Sequence, residues 1–255
     1  PQEYLDRYPI ERISTPTPFL TEYPYAEQIG AGKNLRDERL APFPRTKQAV
    51  AVHRREYYAI ISHLDDQIGR VLKALDASGK ADDTWIFFTA DHGLSVGHHG
   101  LVGKQNQYDH SIRVPFVVVG PGVSAGVTDP TPIYLQDVMP TTLELAGVKP
   151  PKHVFFRSLL PRLSRRTSTA LKKPYGSIYG SYLKLQRSIT HDGWKLIMYP
   201  DAKVIRLYHV QDDPYETVDL AGQPEHADQI MKLFDQFIAL QRELQDPVDV
   251  TYLRP

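Results

Sequence analysis

The chain has 255 residues, enough for one large domain or for one with a small appendage. Its 41% hydrophobic and 24% charged residues are those of an ordinary globular protein, and 30 basic residues balance 30 acidic ones, so bulk charge points to neither nucleic acid nor a membrane surface. It has no cysteine, which excludes disulfides, thiolate zinc sites and cysteine nucleophiles together.

Residues 1–46 are rich in proline and tyrosine, lack periodicity, and read as a long irregular region wrapping a surface. From Thr46 to Ala77, Tyr57, Ile61, Leu64, Ile68, Val71, Leu72 and Leu75 recur at steps of three and four, which predicts an amphipathic helix ended by Ser78-Gly79. Thr84 to Ala90 is short, aromatic and β-branched, so a buried strand is expected. Val114 to Val119 gives a second strand, closed by Gly120-Pro121-Gly122. Gln136 to Ala146 reads as a helix with Pro140 in its first turn and Gly147 just past its end. This order predicts an α/β domain over residues 1–165, a mainly parallel sheet flanked by helices. A basic linker, Arg162 to Lys173, follows. Over residues 174–255 short strands are expected at Tyr175–Tyr179, Gln186–Thr190, Trp194–Tyr199 and Val204–Val210, with Asp192-Gly193 as a hairpin turn. A last helix uses Ile230, Leu233, Phe234, Phe237, Ile238 and Leu244, giving a small α+β subdomain of antiparallel strands and one helix.

The residues that promise chemistry lie between Thr89 and Pro115. In open α/β sheets ligands bind beyond the carboxyl ends of the strands. Asp91 and His92 sit where the first strand ends. A carboxylate there suits a hard cation such as calcium or magnesium, whereas an imidazole better suits zinc, copper or iron. The bland alternative is a turn, with Asp91 capping amides and Gly93 at positive φ. Lys104 and Arg113 add cations to the same stretch. Asp65 and Asp66 are adjacent on the helix and point about 100° apart, so they make no catalytic dyad. The basic run Arg162, Arg165, Arg166, Lys172 and Lys173 fits a solvated linker, or a surface for a polyanion such as a sulfated glycan.

Taken together, Thr89, Asp91-His92-Gly93, Gly97, His99-Gly100, Lys104, Tyr108-Asp109 and Arg113-Val114-Pro115 resemble the sulfatases of the alkaline-phosphatase superfamily. The likeness extends to Tyr57-Tyr58-Ala59, Leu64 to Gly69, Gln136 to Leu143, Gly193 to Leu196 and Asp213 to Glu216, and is greatest to iduronate- and choline-type members. The resemblance implies an alkaline-phosphatase-like fold and hydrolysis of a sulfate monoester, on a small molecule or a glycan. It implies Asp91 and His92 as ligands of Ca2+, with Mg2+, Mn2+ or Zn2+ as alternatives. It implies Lys104 as a catalytic cation on the sulfate, offsetting charge on its oxygens. His99 and Arg113 would shape the loop. His98 stands where the family often has an acidic residue. A periplasmic or secreted location would follow.

The family nucleophile is a formylglycine made from Cys or Ser in a Cys/Ser-x-Pro/Ala-x-Arg motif. This sequence has no cysteine, and Ser168-Thr169-Ala170-Leu171-Lys172 carries Lys for Arg and follows the Asp91 loop instead of preceding it. The family's early paired aspartates and Lys-x-His element have no counterpart. The expectation is therefore a C-terminal half, inactive alone, that pairs with an N-terminal half or self-associates through an exposed apolar face. Two alternatives stay open: a phosphate or phosphonate ester hydrolase of the same superfamily, and a non-catalytic truncated remnant that binds anions.

Overall fold

A computed structural model describes residues 1–163 and 174–255. Arg165, Arg166, Lys172, Lys173 and the Ser168 run lie outside them, as does most of the expected linker. The chain divides into two compact units that interleave along the sequence: residues 1–70, 92–113 and 179–255 form one, and residues 71–91 and 114–178 the other. The order of elements thus differs from a simple split near residue 170, because the loop after the first strand packs with the C-terminal strands.

The first unit is built on a four-stranded antiparallel sheet in the order β3-β4-β5-β6: Ile178–Tyr182, Gln186–His191, Trp194–Tyr199 and Val204–His209. Asp192 (φ +44°) and Gly193 (φ +82°) make the tight turn between β4 and β5. The sheet is buried on both faces, and the period of two along β5 sorts its side chains. Leu196 and Met198 join Ile189 and Leu207 against a helix at Ala227–Glu243, which contributes Ile230, Leu233, Phe234 and Phe237. Ile197 and Tyr199, with Tyr208 of β6, face the other way into a cluster with Tyr23, Ile29, Leu101 and Tyr108. The expected helix on the sheet is present. The second cover comes from the irregular N-terminal region and the 92–113 segment. Four phenols lie in this second cluster: the Tyr23 hydroxyl is 2.9 Å from that of Tyr199 and 3.0 Å from that of Tyr108, which is 3.1 Å from that of Tyr208.

A long helix, α1 (Lys47–Ala77), begins in this unit, as the spacing of its apolar residues predicts. Its apolar face is not buried as amphipathicity alone suggests. Val50 and Ala59 are buried, while Ile60, Ile61, Leu64, Val71 and Leu72 are exposed.

In the second unit β1 (Ile86–Thr89) and β2 (Phe116–Val119) pair antiparallel, Ile86 opposite Val119 and Phe88 opposite Val117. The mainly parallel sheet expected from the element order is not formed by these two strands; among the described residues they pair with each other alone. Nor is β1 a buried strand. Residues directly opposite share a face, and Phe88, Val117 and Val119 on that face are exposed. A second helix, α2 (Val138–Leu145), follows a single 3-10 turn at Leu135–Asp137. The Asp137 carboxylate is buried and accepts the amides of Tyr134 (2.9 Å) and Arg157 (3.0 Å) and the hydroxyl of Tyr175. Thr141 Oγ1 accepts the Leu159 amide at 2.8 Å, which docks the segment after α2 onto it. Arg162 pairs with Asp129 at 2.7 Å. No described helix is long and apolar enough to cross a membrane.

The helix at Ala227–Glu243 anchors the first unit through Phe237, whose ring stacks on Tyr179 at 5.1 Å. Replacement Phe237→Ala is expected to cost about 3–5 kcal/mol. A urea midpoint, read from tryptophan fluorescence, that matches the parent chain would contradict this packing role.

Candidate functional site

The segment after β1 turns back sharply. The Gly93 amide donates to Ser111 O at 2.8 Å, and a Cβ at position 93 would sit 2.0 Å from His110 O. Only glycine permits that approach. The chain then folds on itself: the amides of Ser95, Val96 and Gly97 donate to the carbonyls of Gly103 (2.9 Å), Val102 (3.2 Å) and Leu101 (2.8 Å). At the tip Gly97 lies at φ +98°, and a Cβ there would meet Val50 Cγ1 at 2.3 Å.

The stem leading to Lys104 is held from residues 1–46. Glu38 is buried, and its carboxylate accepts the amides of Val102 (3.0 Å) and Gly103 (2.8 Å) and pairs with the buried guanidinium of Arg45. Burial pushes the Glu38 carboxyl up, and the two amides and Arg45 oppose that rise. Arg45 also donates to Gly100 O (3.1 Å), Glu38 O (2.9 Å) and Ala41 O (2.6 Å), so its burial leaves no bare charge. Lys104 follows directly. Its ammonium lies 3.8 Å from Asp37 Oδ2, beyond hydrogen-bond range, and its side chain is 31% exposed. Among the described residues this ammonium has no hydrogen-bond acceptor. The Gln105 amide, with Arg36 and Lys104, holds the Asp37 carboxyl below its ordinary range.

His99 is buried, with positive φ, and its ring stacks on Tyr108 at 3.8 Å. Its Nε2 is 2.9 Å from Glu216 O. A carbonyl only accepts, so Nε2 carries the proton and Nδ1 the lone pair. His110 Nε2, 3.4 Å from that lone pair, is then the donor, and Ser111 Oγ donates to His110 Nδ1 at 2.9 Å. Burial lowers His99 to about 4 and also lowers His110. Arg113 is exposed and reaches Asp109 Oδ2 at 3.6 Å. Asp109 Oδ1 pairs with the buried Lys195, which also bonds Glu216 Oε1 at 2.7 Å.

Asp91 closes the strand of the second unit, and His92 opens the loop of the first, with Nδ1 2.9 Å from Gly93 O. Among the described residues no group of three or more His, Cys, Asp or Glu gathers as a metal site, so Asp91 and His92 do not by themselves complete one. Glu38, Arg45, Lys195 and Glu216 escaped sequence reasoning as parts of this site. Gly193 to Leu196 and Asp213 to Glu216 stood out as family-like segments, and those were the available signals for Lys195 and Glu216.

The fold is of the alkaline-phosphatase-like class. Two family models match: "Sulfatase" over residues 14–148, and "N-sulphoglucosamine sulphohydrolase, C-terminal" over residues 97–243. The chain belongs to the sulfatase family. It is similar to arylsulfatase K of Xenopus laevis, 28% identical over 90% of this chain and 44% of the relative. It is also similar to choline-sulfatase of Rhizobium meliloti, 34% identical over 71% of this chain and 36% of the relative. Among solved structures, BT4656 in complex with its substrate D-glucosamine-2-N,6-O-disulfate matches with a TM-score of 0.74 and 27% identity, over 88% of this chain and 46% of that one. The chain thus spans less than half the length of these relatives.

With His99 at about 4, the unfolded chain takes up a proton near pH 6.5 that the folded chain refuses until pH 4. More protons bound by the unfolded state means that stability falls as pH drops through this window, on the order of 3 kcal/mol from His99. His110 adds in the same direction. Urea titrations at pH 7 and pH 4.5 should show the loss, and His99→Phe, which keeps the stack, should flatten it; equal slopes in both proteins would refute the assignment.

Proposed function

We propose that this chain supplies the sulfate-binding part of a sulfuric ester hydrolase, with Lys104 as the cation that meets the sulfate. The observation that carries the reading is the partly exposed Lys104 ammonium, 3.8 Å from Asp37 Oδ2 and without a hydrogen-bond acceptor among the described residues, on a stem whose preceding amides are fixed by Glu38. A cation so held offsets negative charge on the sulfate oxygens as the ester bond breaks, without reorganising at that moment. The family matches support the reaction class.

In this reading a formylglycine, present in the complete enzyme as its hydrated aldehyde, supplies the nucleophile, and a divalent cation, calcium before magnesium, manganese or zinc, supplies charge beside it. Asp91 offers a hard oxygen donor to that cation and His92 a second atom, but the described residues complete no such site and no step is assigned to it. Nucleophile and further donors then come from outside this sequence, which has no cysteine. The exposed Phe88, Val117 and Val119 give the remainder of such an enzyme, or a second copy, an apolar face to cover. His99 and Arg113 shape the loop and touch no substrate.

Two outcomes test this. The 255-residue chain alone should show no turnover of an aryl sulfate, since loss of a covalent nucleophile costs ~10⁶ in rate. Measurable hydrolysis that depends on Lys104 would overturn the external nucleophile. In the complete enzyme, Lys104→Ala should lower kcat/KM by about 10²–10³; unchanged turnover removes Lys104 from the mechanism.

A further inference from the structure

Glu216 is buried and lies at φ +54°, a left-handed conformation that non-glycine residues seldom adopt. Its polar atoms are divided between two places in the sequence more than a hundred residues upstream. The backbone carbonyl accepts His99 Nε2 at 2.9 Å. The side chain accepts the Asp109 amide through Oε2 at 2.7 Å. The remaining oxygen, Oε1, takes Lys195 Nζ at 2.7 Å, and the same ammonium pairs with the Asp109 carboxylate. His99 and Asp109 bracket the stretch that carries Lys104. One residue therefore grips both ends of that stretch, and a buried lysine fixes the orientation of its carboxylate.

We propose that Glu216 is a positioning residue for Lys104, closing both ends of the loop that presents it. This rests on the sulfate-binding reading of Lys104 given above. Glu216 touches no substrate in this scheme. It sets where the loop sits on β5, while Glu38 sets the stem from the other side. Without the Glu216 carboxylate, the Asp109 amide loses its acceptor and Lys195 keeps only the Asp109 carboxylate and Gln107 O. The loop would keep Glu38 at its stem and Tyr108 in the phenol cluster, and lose its tie at the Asp109 amide. The left-handed backbone allows a clean separation of side chain from main chain: Glu216→Gly removes the carboxylate, keeps the carbonyl that holds His99, and relieves the backbone instead of straining it. Glu216→Gln keeps an acceptor for the Asp109 amide.

The experiment uses the 255-residue chain and two readouts. The first is amide exchange, residue by residue, over the loop and over β5. The second is the side-chain signal of Lys104, identified by its loss in Lys104→Ala, during titration with inorganic sulfate. In the parent chain the Lys104 signal should respond to sulfate. Glu216→Gly should raise exchange at Asp109 and its neighbours by roughly ten-fold or more and leave Leu196 to Met198 unchanged, the pattern of a local opening. The same variant should weaken the sulfate response several-fold, and Glu216→Gln should restore most of both. Parent-like exchange at Asp109 in the glycine variant overturns the proposal, as does an equal rise in β5, which would mean general destabilisation. A Lys104 signal indifferent to sulfate in the parent chain, with the exchange pattern as expected, sinks the sulfate reading and leaves the clip intact.

Discussion

A carboxylate shut away from water must find donors for its charge inside the protein, and Glu38 finds three: the Arg45 guanidinium and the amides of Val102 and Gly103. Removing one partner of a buried pair strands the other, at a typical cost of about 3–5 kcal/mol. The interaction is therefore not an ornament on a finished fold. It attaches the irregular first residues to the loop before Lys104, and both then cover the second face of the C-terminal sheet. That face is where Ile197, Tyr199 and Tyr208 meet Tyr23 and Tyr108. The sheet thus has a helix over one face and this irregular cover over the other.

The division of labour on the sheet follows from the period of two. On β5 Leu196 and Met198 serve the core with the last helix, and Lys195 belongs to the opposite set. A lysine at a buried strand position looks like a defect until its partners are seen. Two carboxylates and a backbone carbonyl, Gln107 O at 3.3 Å, take up its ammonium. The polar clip and the apolar core are thus consecutive residues of one strand, and neither can shift without the other.

What the sequence showed was what repeats locally. The steps of three and four gave α1 and the last helix, and the short strands expected at Gln186–Thr190, Trp194–Tyr199 and Val204–Val210 match β4 to β6 within a residue. The Asp192-Gly193 turn was legible because its backbone demands those residue types. The irregular first segment was recognised as irregular, but its task was not, since Glu38 reaches Val102 across 64 residues and such a link leaves no period. The antiparallel pairing of β1 with β2 was not legible, because two apolar runs look alike whichever way they pair. The exposure of Phe88 and of Ile61 was missed because an apolar pattern announces a face to be covered, not what covers it. In the candidate site, Asp91, His92, Lys104 and Arg113 were named by residue type and order. Lys195 and Glu216 were not, since their chemistry is only a matter of whom they meet.

The phenol cluster has a further consequence, for the order in which the protein assembles. Tyr23 reaches Tyr199 across 176 positions of sequence, and His99 reaches Glu216 across 117. Contacts so distant in sequence repay the entropy of loop closure late, and folds rich in them form slowly. On a ribosome the segment around Lys104 emerges well before β5, β6 and Glu216. It must wait, without its partners, until those strands have been made. The surfaces destined for Tyr199 and Tyr208 stay uncovered over that interval, so the nascent chain is at its most vulnerable to misassociation while its most distinctive loop is already outside the tunnel.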